Sequence, residues 1–583
     1  MLKTNIVTKL NRLSSLWSFS IIFCVGLLTY CDGLKNQFQG DDNSQIVLNP
    51  PVHSLANIKL FFEGGTFYNG HGLAPLTGVY FRPLQTTIYS LLYTVFGPNP
   101  LFFHIFQLLL CIGSAFFLYL IFKLNFKPGL ALFLALLFLI LPINSQTVFS
   151  IPNMQDALYF FFGIASLWVL FTHKSRKSLF GTIALLCVAL LAKETAALFI
   201  LMTAVYLFQR DRKRLYLFLM AIVPMLAVYV LLRFHAIGWL SNPNSGPIDR
   251  LDLAGRITAS PAILLLYLNK LVFPWKLSSA YFWDQPHFSV RHVLLPLLID
   301  LCAVGFFVYR GLLIRRSSTP GMKFAYNYFA LWTVIGILLI VQIIPLDFTA
   351  SAPWFYFTSA GILGMAGLII TDLSKRKWIH RNLKLVIGLA VLIIILASVR
   401  TALWGRVWSS PYALAKNDLS ATQDDYSANF QLSVYYFDQQ DYVDTLLYAH
   451  RSVADFPYAT NYNALGTAQM MTGEYGQAQT SFSTGLKYFK DCNLYDNMSA
   501  LTYFIGSTAS NTKILTTAIG YCPADSDPWL FLAILEYKNH NLSVAQYAVT
   551  KAYNYAGGAN SFVAPVYNAI MSGGTLPSTV AGI

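Results

Sequence analysis

Charge is what this sequence has least of. Only 11% of its 583 residues are Asp, Glu, Lys or Arg, with 26 acids against 40 bases. An ordinary soluble domain carries about 25% charge and a disordered chain few apolar residues, so both classes are excluded. Cysteine is also scarce. There are seven, and Cys24, Cys111, Cys187 and Cys302 lie inside apolar runs, where they read as small core residues. A scaffold stapled by many disulfides is therefore excluded. No glycine-rich phosphate loop and no paired His/Cys metal spacing occurs, so neither a soluble nucleotide nor a dedicated metal centre is written in the chain. No cofactor is called for, and only an assisting divalent cation stays open.

What is present is apolar. Hydrophobic residues make up 56% and aromatics 15%, gathered in runs long enough to cross a bilayer. From Ser409 onward, 7 Lys and Arg face 13 Asp and Glu, a net of −6 that leaves +20 for the part before it. That excess sits in short clusters between apolar runs, the mark of cytoplasmic loops rather than of a nucleic-acid surface. Lys3, Lys9 and Arg12 precede the run Leu16–Tyr30, and no small-residue cleavage site follows, so the run reads as a retained signal anchor. With the cationic clusters inside, the N-terminus is cytoplasmic and residues 31–100 form a first outer loop. About 11 spans follow in all, and the C-terminal region is exported, from either a bacterial cell membrane or an endoplasmic reticulum. Within the first loop, Leu84, Ile88, Leu91, Leu92, Val95 and Phe96 recur at helical spacing, predicting a short interfacial helix.

The run from Leu179 to Phe208 has cationic clusters on both sides, His173–Lys177 and Arg210–Arg214. As one helix it would reach about 45 Å and put one cluster outside. Two short helices turning at Ala192-Lys193-Glu194 keep both inside. They carry Lys193 and Glu194 to the outer side, where the first loop holds Gly40-Asp41-Asp42. An acid at a span centre costs about 2.5–3.5 kcal/mol and less toward the interface, so adjacent aspartates here call for a reason. Asp41, Asp42, Arg82, Lys193 and Glu194 converge on that face, with His53, His104 and Asp156 as further polar candidates. A carboxylate there can take a proton from an attacking hydroxyl, and cations can receive a departing phosphate. Plainer roles stand beside these: Lys193 pairing with Glu194, Arg82 anchoring to headgroups, His104 bonding a neighbouring helix, Asp156 capping the helix that begins at Ala157. Tyr267, Asn269 and Trp275 read as interface anchors.

Beyond residue 409 the chain turns polar with helical periodicity. Ser452, Gly485, Ala518 and Ala552 are small residues spaced 33, 33 and 34 apart, and Leu432, Leu465 and Leu532 share another register. That is the pattern of a tetratricopeptide-like array of paired helices. Cys492 and Cys522 fall near the two ends of one unit, predicting a disulfide.

The order Gly40-Asp41-Asp42, Ile46, Asn49, Val52, then Tyr80, Arg82-Pro83-Leu84, Phe96-Gly97, His104 and Gln107 resembles the first third of the GT-C membrane glycosyltransferases. It is most similar to protein O-mannosyltransferase-type members with C-terminal tetratricopeptide repeats. Ala192-Lys193-Glu194 and Tyr267-Leu268 to Leu277-Ser278 match that family's hairpin and outer-loop patterns. The resemblance implies an all-α chain: a membrane domain over 1–408 and an exported repeat solenoid over 409–583. It also implies that Asp41 and Asp42 are the catalytic acidic pair and that the donor is a dolichyl- or polyprenyl-phosphate sugar, mannose-like. An exported acceptor such as a protein hydroxyl would be recruited through the repeats. The chain departs from the family where it reads Asn153-Met154-Gln155-Asp156 and Ala352-Pro353-Trp354-Phe355-Tyr356, each lacking an arginine common there. The alternative function is a non-catalytic membrane anchor for a protein-binding repeat domain. A transporter fits less well, since no inverted repeat of interrupted helices is visible.

Overall fold

A computed structural model describes residues 14–68, 76–238, 246–283, 289–506, 509–556 and 562–577. Lys3, Lys9 and Arg12 lie outside these. The described chain is almost wholly helical and divides into two compact units, one running to residue 423 and one from 424 onward. The first thus takes in a helix beyond residue 408.

In the first unit the helices are α1 (Ser15–Tyr30), α2 (Pro83–Phe96), α3 (Pro100–Lys123), α4 (Pro128–Ile140), α5 (Met154–Thr172), α6 (Arg176–Ala192) and α7 (Ala197–Arg210). They continue with α8 (Arg212–Ile237), α9 (Leu253–Val272), α10 (Leu295–Ser317), α11 (Pro320–Ile340), α12 (Phe355–Leu373), α13 (Leu383–Val407) and α14 (Pro411–Ala421). Their starts follow local chemistry. Asn99, Ser175, Asp211 and Thr319 each accept an amide of the first turn, and proline opens α2, α3, α4, α11 and α14.

Every expected apolar segment is a helix. Among the described residues α3, α5, α8, α10, α11, α12 and α13 are each long and apolar enough to cross a membrane, and α4 qualifies together with Pro142–Phe149 as a pair bent by 52°. The protein is a multi-pass membrane protein. α5 and α12 are mostly buried, whereas few residues of α8 and α13 are buried, as in helices facing lipid. The core between them is aromatic: Phe160 and Phe199 meet edge to face at 5.4 Å, and Trp332 and Phe357 lie 5.1 Å apart.

The break at Lys193 reverses the chain. Thr182 of α6 donates to the Ser166 carbonyl and Lys193 pairs with Asp156, so α6 runs antiparallel to α5. Phe171 near the end of α5 meets Tyr206 near the end of α7 at 4.6 Å, so α7 runs parallel to α5. The turn therefore lies at the same end of the bundle as the start of α5.

The second unit is a run of antiparallel helix pairs: α15 (Tyr426–Asp438) with α16 (Tyr442–Asp455), α17 (Ala459–Met471) with α18 (Tyr475–Tyr488), α19 (Cys492–Ile505) with α20 (Ala509–Tyr521), and α21 (Ser526–Lys538) with α22 (Leu542–Tyr555), closed by α23 (Val563–Ser572). Ser452, Gly485, Ala518 and Ala552 are all buried, one on each second helix. Small side chains at these positions let partner helices approach closely. Cys492 and Cys522 are joined in a disulfide with their Cα atoms 5.9 Å apart.

Candidate active site

The loop after α1 turns sharply at Gly40, whose φ of 57° is left-handed and suits glycine. The two aspartates after it part company. Asp42 is 2% exposed, and its Oδ2 accepts the Gln39 amide at 2.9 Å. Burial pushes its carboxyl well above the ordinary carboxylate range; the Gln39 bond works against this and the neighbouring Asp41 charge adds to it. Asp41 instead faces a cavity of about 360 Å³. Asp41 is exposed at the cavity, and the protein around it raises its carboxyl by desolvation while Arg82 draws it back down. The pair read as equivalent in sequence is therefore one cavity carboxylate and one buried loop brace.

Arg82 lines the same cavity. It is buried rather than extended to headgroups, with its guanidinium 4.1 Å over the Tyr80 ring and no carboxylate partner among the described residues. The helix it precedes is turned around relative to a simple interfacial helix. α2 buries its polar side chains Gln85, Thr86 and Ser90 and exposes Leu91, Val95 and Phe96. Gln85 donates to the Pro152 carbonyl and Tyr89 to the Ile151 carbonyl, while Gln107 of α3 donates to those of Thr147 and Ser150. These carbonyls belong to the broken stretch between α4 and α5, where non-helical backbone at membrane depth must find partners inside the protein. Pro152 and Asn153 of that stretch line the cavity.

Lys193 lines the cavity as well. Its Nζ lies 2.8 and 3.0 Å from the two Asp156 oxygens, and both side chains are buried. Asp156 makes no cap bond to its own helix, and Lys193 does not pair with Glu194, so both plainer readings give way to this ion pair. The cause is steric: Lys193 is extended (φ −162°, ψ 138°), which ends α6 and directs its side chain back across α5. Glu194 remains exposed at the cavity with no ion-pair partner among the described residues.

The two histidines do not reach the cavity. His53 Nε2 bonds the Ile46 carbonyl at 2.9 Å and its ring stacks on Tyr93 at 3.9 Å, which braces the loop carrying Asp41. His104 bonds the Val148 carbonyl of the broken stretch. Tyr267, read as an interface anchor, is buried and exchanges hydrogen bonds with the backbone of Ser351. Trp275 does stand exposed. Among the described residues no group of three or more His, Cys, Asp or Glu is arranged to hold a metal ion.

One cavity acid was missed in the sequence. Asp347 lines the wall after α11, and burial, with Asp41 nearby, raises its carboxyl to about 6. The available signal was its isolation: it is the sole charged residue between Lys323 and Asp372, just past a long apolar run.

With this geometry in place, residues 82–239 match the family described as dolichyl-phosphate-mannose-protein mannosyltransferase. That segment opens on Arg82 and includes Asp156, Lys193 and Glu194. Over 134 residues the chain is 34% identical to the human protein O-mannosyl-transferase TMTC1 and 33% identical to the mouse protein of the same name. Residues 82–239 of the membrane unit are thus similar to an O-mannosyltransferase family. The matched stretch is 22% of this chain and 15% of the human relative's length, or 14% of the mouse relative's. This GT-C-like stretch supplies the cation walls of the cavity, while Asp41 and Asp347 lie outside it on either side.

Proposed function

We propose that the cavity is the catalytic centre of a membrane glycosyltransferase that moves a mannose-type sugar from a polyprenyl- or dolichyl-phosphate donor to the hydroxyl of an exported acceptor, a protein side chain foremost. The single observation that carries this reading is that Asp41, Arg82 and Lys193 border one cavity. Asp41 is the base: as the acceptor oxygen bonds to the anomeric carbon, the hydroxyl proton passes to its carboxylate. The bond from that carbon to the phosphate oxygen breaks, and the electron pair leaves with the phosphate. Arg82, free of carboxylate partners among the described residues, meets that growing charge. Lys193 already shares two hydrogen bonds with Asp156, so it steers the phosphate with its remaining donor and contributes less net charge. Asp42 holds the turn rather than moving the proton.

The orientation follows the cationic ends. Lys123 closing α3 reaches Ser15 opening α1, and Arg310 late in α10 pairs with Asp372 late in α12, ends that a cytoplasmic face gathers together. The site then opens on the exported side, and the repeat unit recruits a polypeptide there.

Transfer from polyprenyl-phosphate mannose by the purified protein tests the reading. Asp41→Asn is expected to lower the rate about 10²–10⁴-fold, the usual range for losing a general base. Asp42→Asn acts chiefly through the loop. An Asp41→Asn protein that retains full activity ends the proposal.

A further inference from the structure

One part of the cavity wall is built from a single segment after α11. Phe348 and Trp354 both line the cavity and stack at 5.8 Å with their planes 16° apart, and the Asp347 carboxylate sits beside them. A flat aromatic surface next to a carboxylate is what a hexose asks for. Its axial C–H face packs on a ring, and its hydroxyls donate to an anion in pairs. The carboxylate repels a phosphate and gains nothing from an acyl chain, so the combination favours a sugar.

The segment is fixed from several directions. Gln342 has a left-handed φ of 63°, uncommon for a side-chain-bearing residue and a mark of functional sites. Its Nε2 donates to the carbonyls of Phe348 and Thr349, and its Oε1 accepts the Leu346 amide at 2.8 Å. Every hydrogen-bonding site on the two Nε2 hydrogens, and one on the oxygen, is spent bracing this stretch. Thr349 bonds the backbone of Trp283 in both directions, and Tyr267 does the same for Ser351. On the outer side Gly246 lies so close that a Cβ there would stand 2.3 Å from the Asp347 carbonyl oxygen. Such a surface is preorganised, which lowers the ordering cost of binding.

We propose that Asp347, Phe348 and Trp354 form the sugar-recognising wall of the cavity, the carboxylate accepting hydrogen bonds from hexose hydroxyls and the stacked rings carrying the pyranose face. This rests on the reading of the cavity as a lipid-linked sugar site and adds which wall tells sugar from bare lipid phosphate. Arg82 and Lys193, which line the same cavity, hold the phosphate end.

The test measures binding by the full chain in nanodiscs of two probes, polyprenyl-phosphate mannose and polyprenyl phosphate without sugar. The unaltered protein is expected to prefer the sugar-bearing lipid. Asp347→Ala and Trp354→Leu are each expected to weaken that lipid about tenfold or more and to leave bare polyprenyl phosphate within about twofold. Retained binding of the bare lipid also shows that the variant is folded. Equal loss for both probes, no loss in either variant, or an unaltered protein that binds both lipids alike overturns the sugar wall and leaves the enzyme reading standing. An unaltered protein that binds neither lipid overturns the enzyme reading and the wall together.

Discussion

Helices α2 and α22 are both 14 residues long, and they bury opposite chemistries. α22 buries Ala545, Ala548, Val549 and Ala552, as a helix in water should. α2 buries Gln85, Thr86, Tyr89 and Ser90 and leaves Leu91, Val95 and Phe96 outside. In a bilayer an outward apolar face costs nothing, so burial is free to serve polar groups that the broken stretch between α4 and α5 leaves without partners. Burial thus means packing in the repeat unit, whereas in the membrane unit buried polar residues such as Gln85 and Gln107 serve backbone carbonyls of the broken stretch.

The sharpest way to break this contrast is at Lys193. Lys193→Met leaves Asp156 buried without its cation and is expected to cost about 3–5 kcal/mol, read as thermal stability in detergent. Pairing it with Asp156→Leu should restore most of that stability while transfer stays lost. If the single variant is as stable as the parent, the pair is not holding α5 to α6.

In the repeat unit the matching experiments concern covalent and steric closure. Reducing Cys492–Cys522, or replacing both with Ser, should destabilise that unit by about 2–4 kcal/mol with no change in the membrane unit. Both thiols alkylating freely without reductant would show the bridge absent. Ala552→Leu, at a site with 0% exposure, should cost about 1–3 kcal/mol by overpacking. A null result there would mean that the small-residue register does not set how closely the pairs approach.

Much of this was legible in the chain because charge and apolar length report topology directly. The flanking clusters around Leu179–Phe208 required a reversal, and Lys193 stands at that reversal on the Asp156 side. The small residues at spacings of 33 and 34 fell on the buried face of successive second helices. What could not be read was orientation within a loop. Asp41 and Asp42 are adjacent, and only the left-handed turn at Gly40 decides which one faces the cavity. The plainer alternative for Lys193 paired it with Glu194 rather than Asp156, because sequence neighbours are visible and cross-helix neighbours are not. His53 and His104 looked functional for their chemistry but serve backbone carbonyls, whose need for partners appears only once the helix break is placed. Asp347 was passed over because a lone acid after a span carries no spacing pattern.

The smallest expected effect concerns Asp347 itself, and its sign separates a site residue from a packing residue. Its carboxyl, at 3.8 in an ordinary setting, is raised to about 6 by burial first and by Asp41 second. The folded state therefore holds this proton more tightly than the unfolded chain, and stability contributed by it is full below about pH 4. It declines as pH rises to about 6 and stays flat beyond. Asp347→Asn removes that decline, so the variant should match the parent near pH 4 and melt slightly higher at pH 7, even as sugar binding weakens. Thermal melts of variant and parent across that range check this, and an Asp347→Asn protein less stable than the parent at pH 7 would show the carboxylate to be a structural contact rather than a group held against its own solvation for binding.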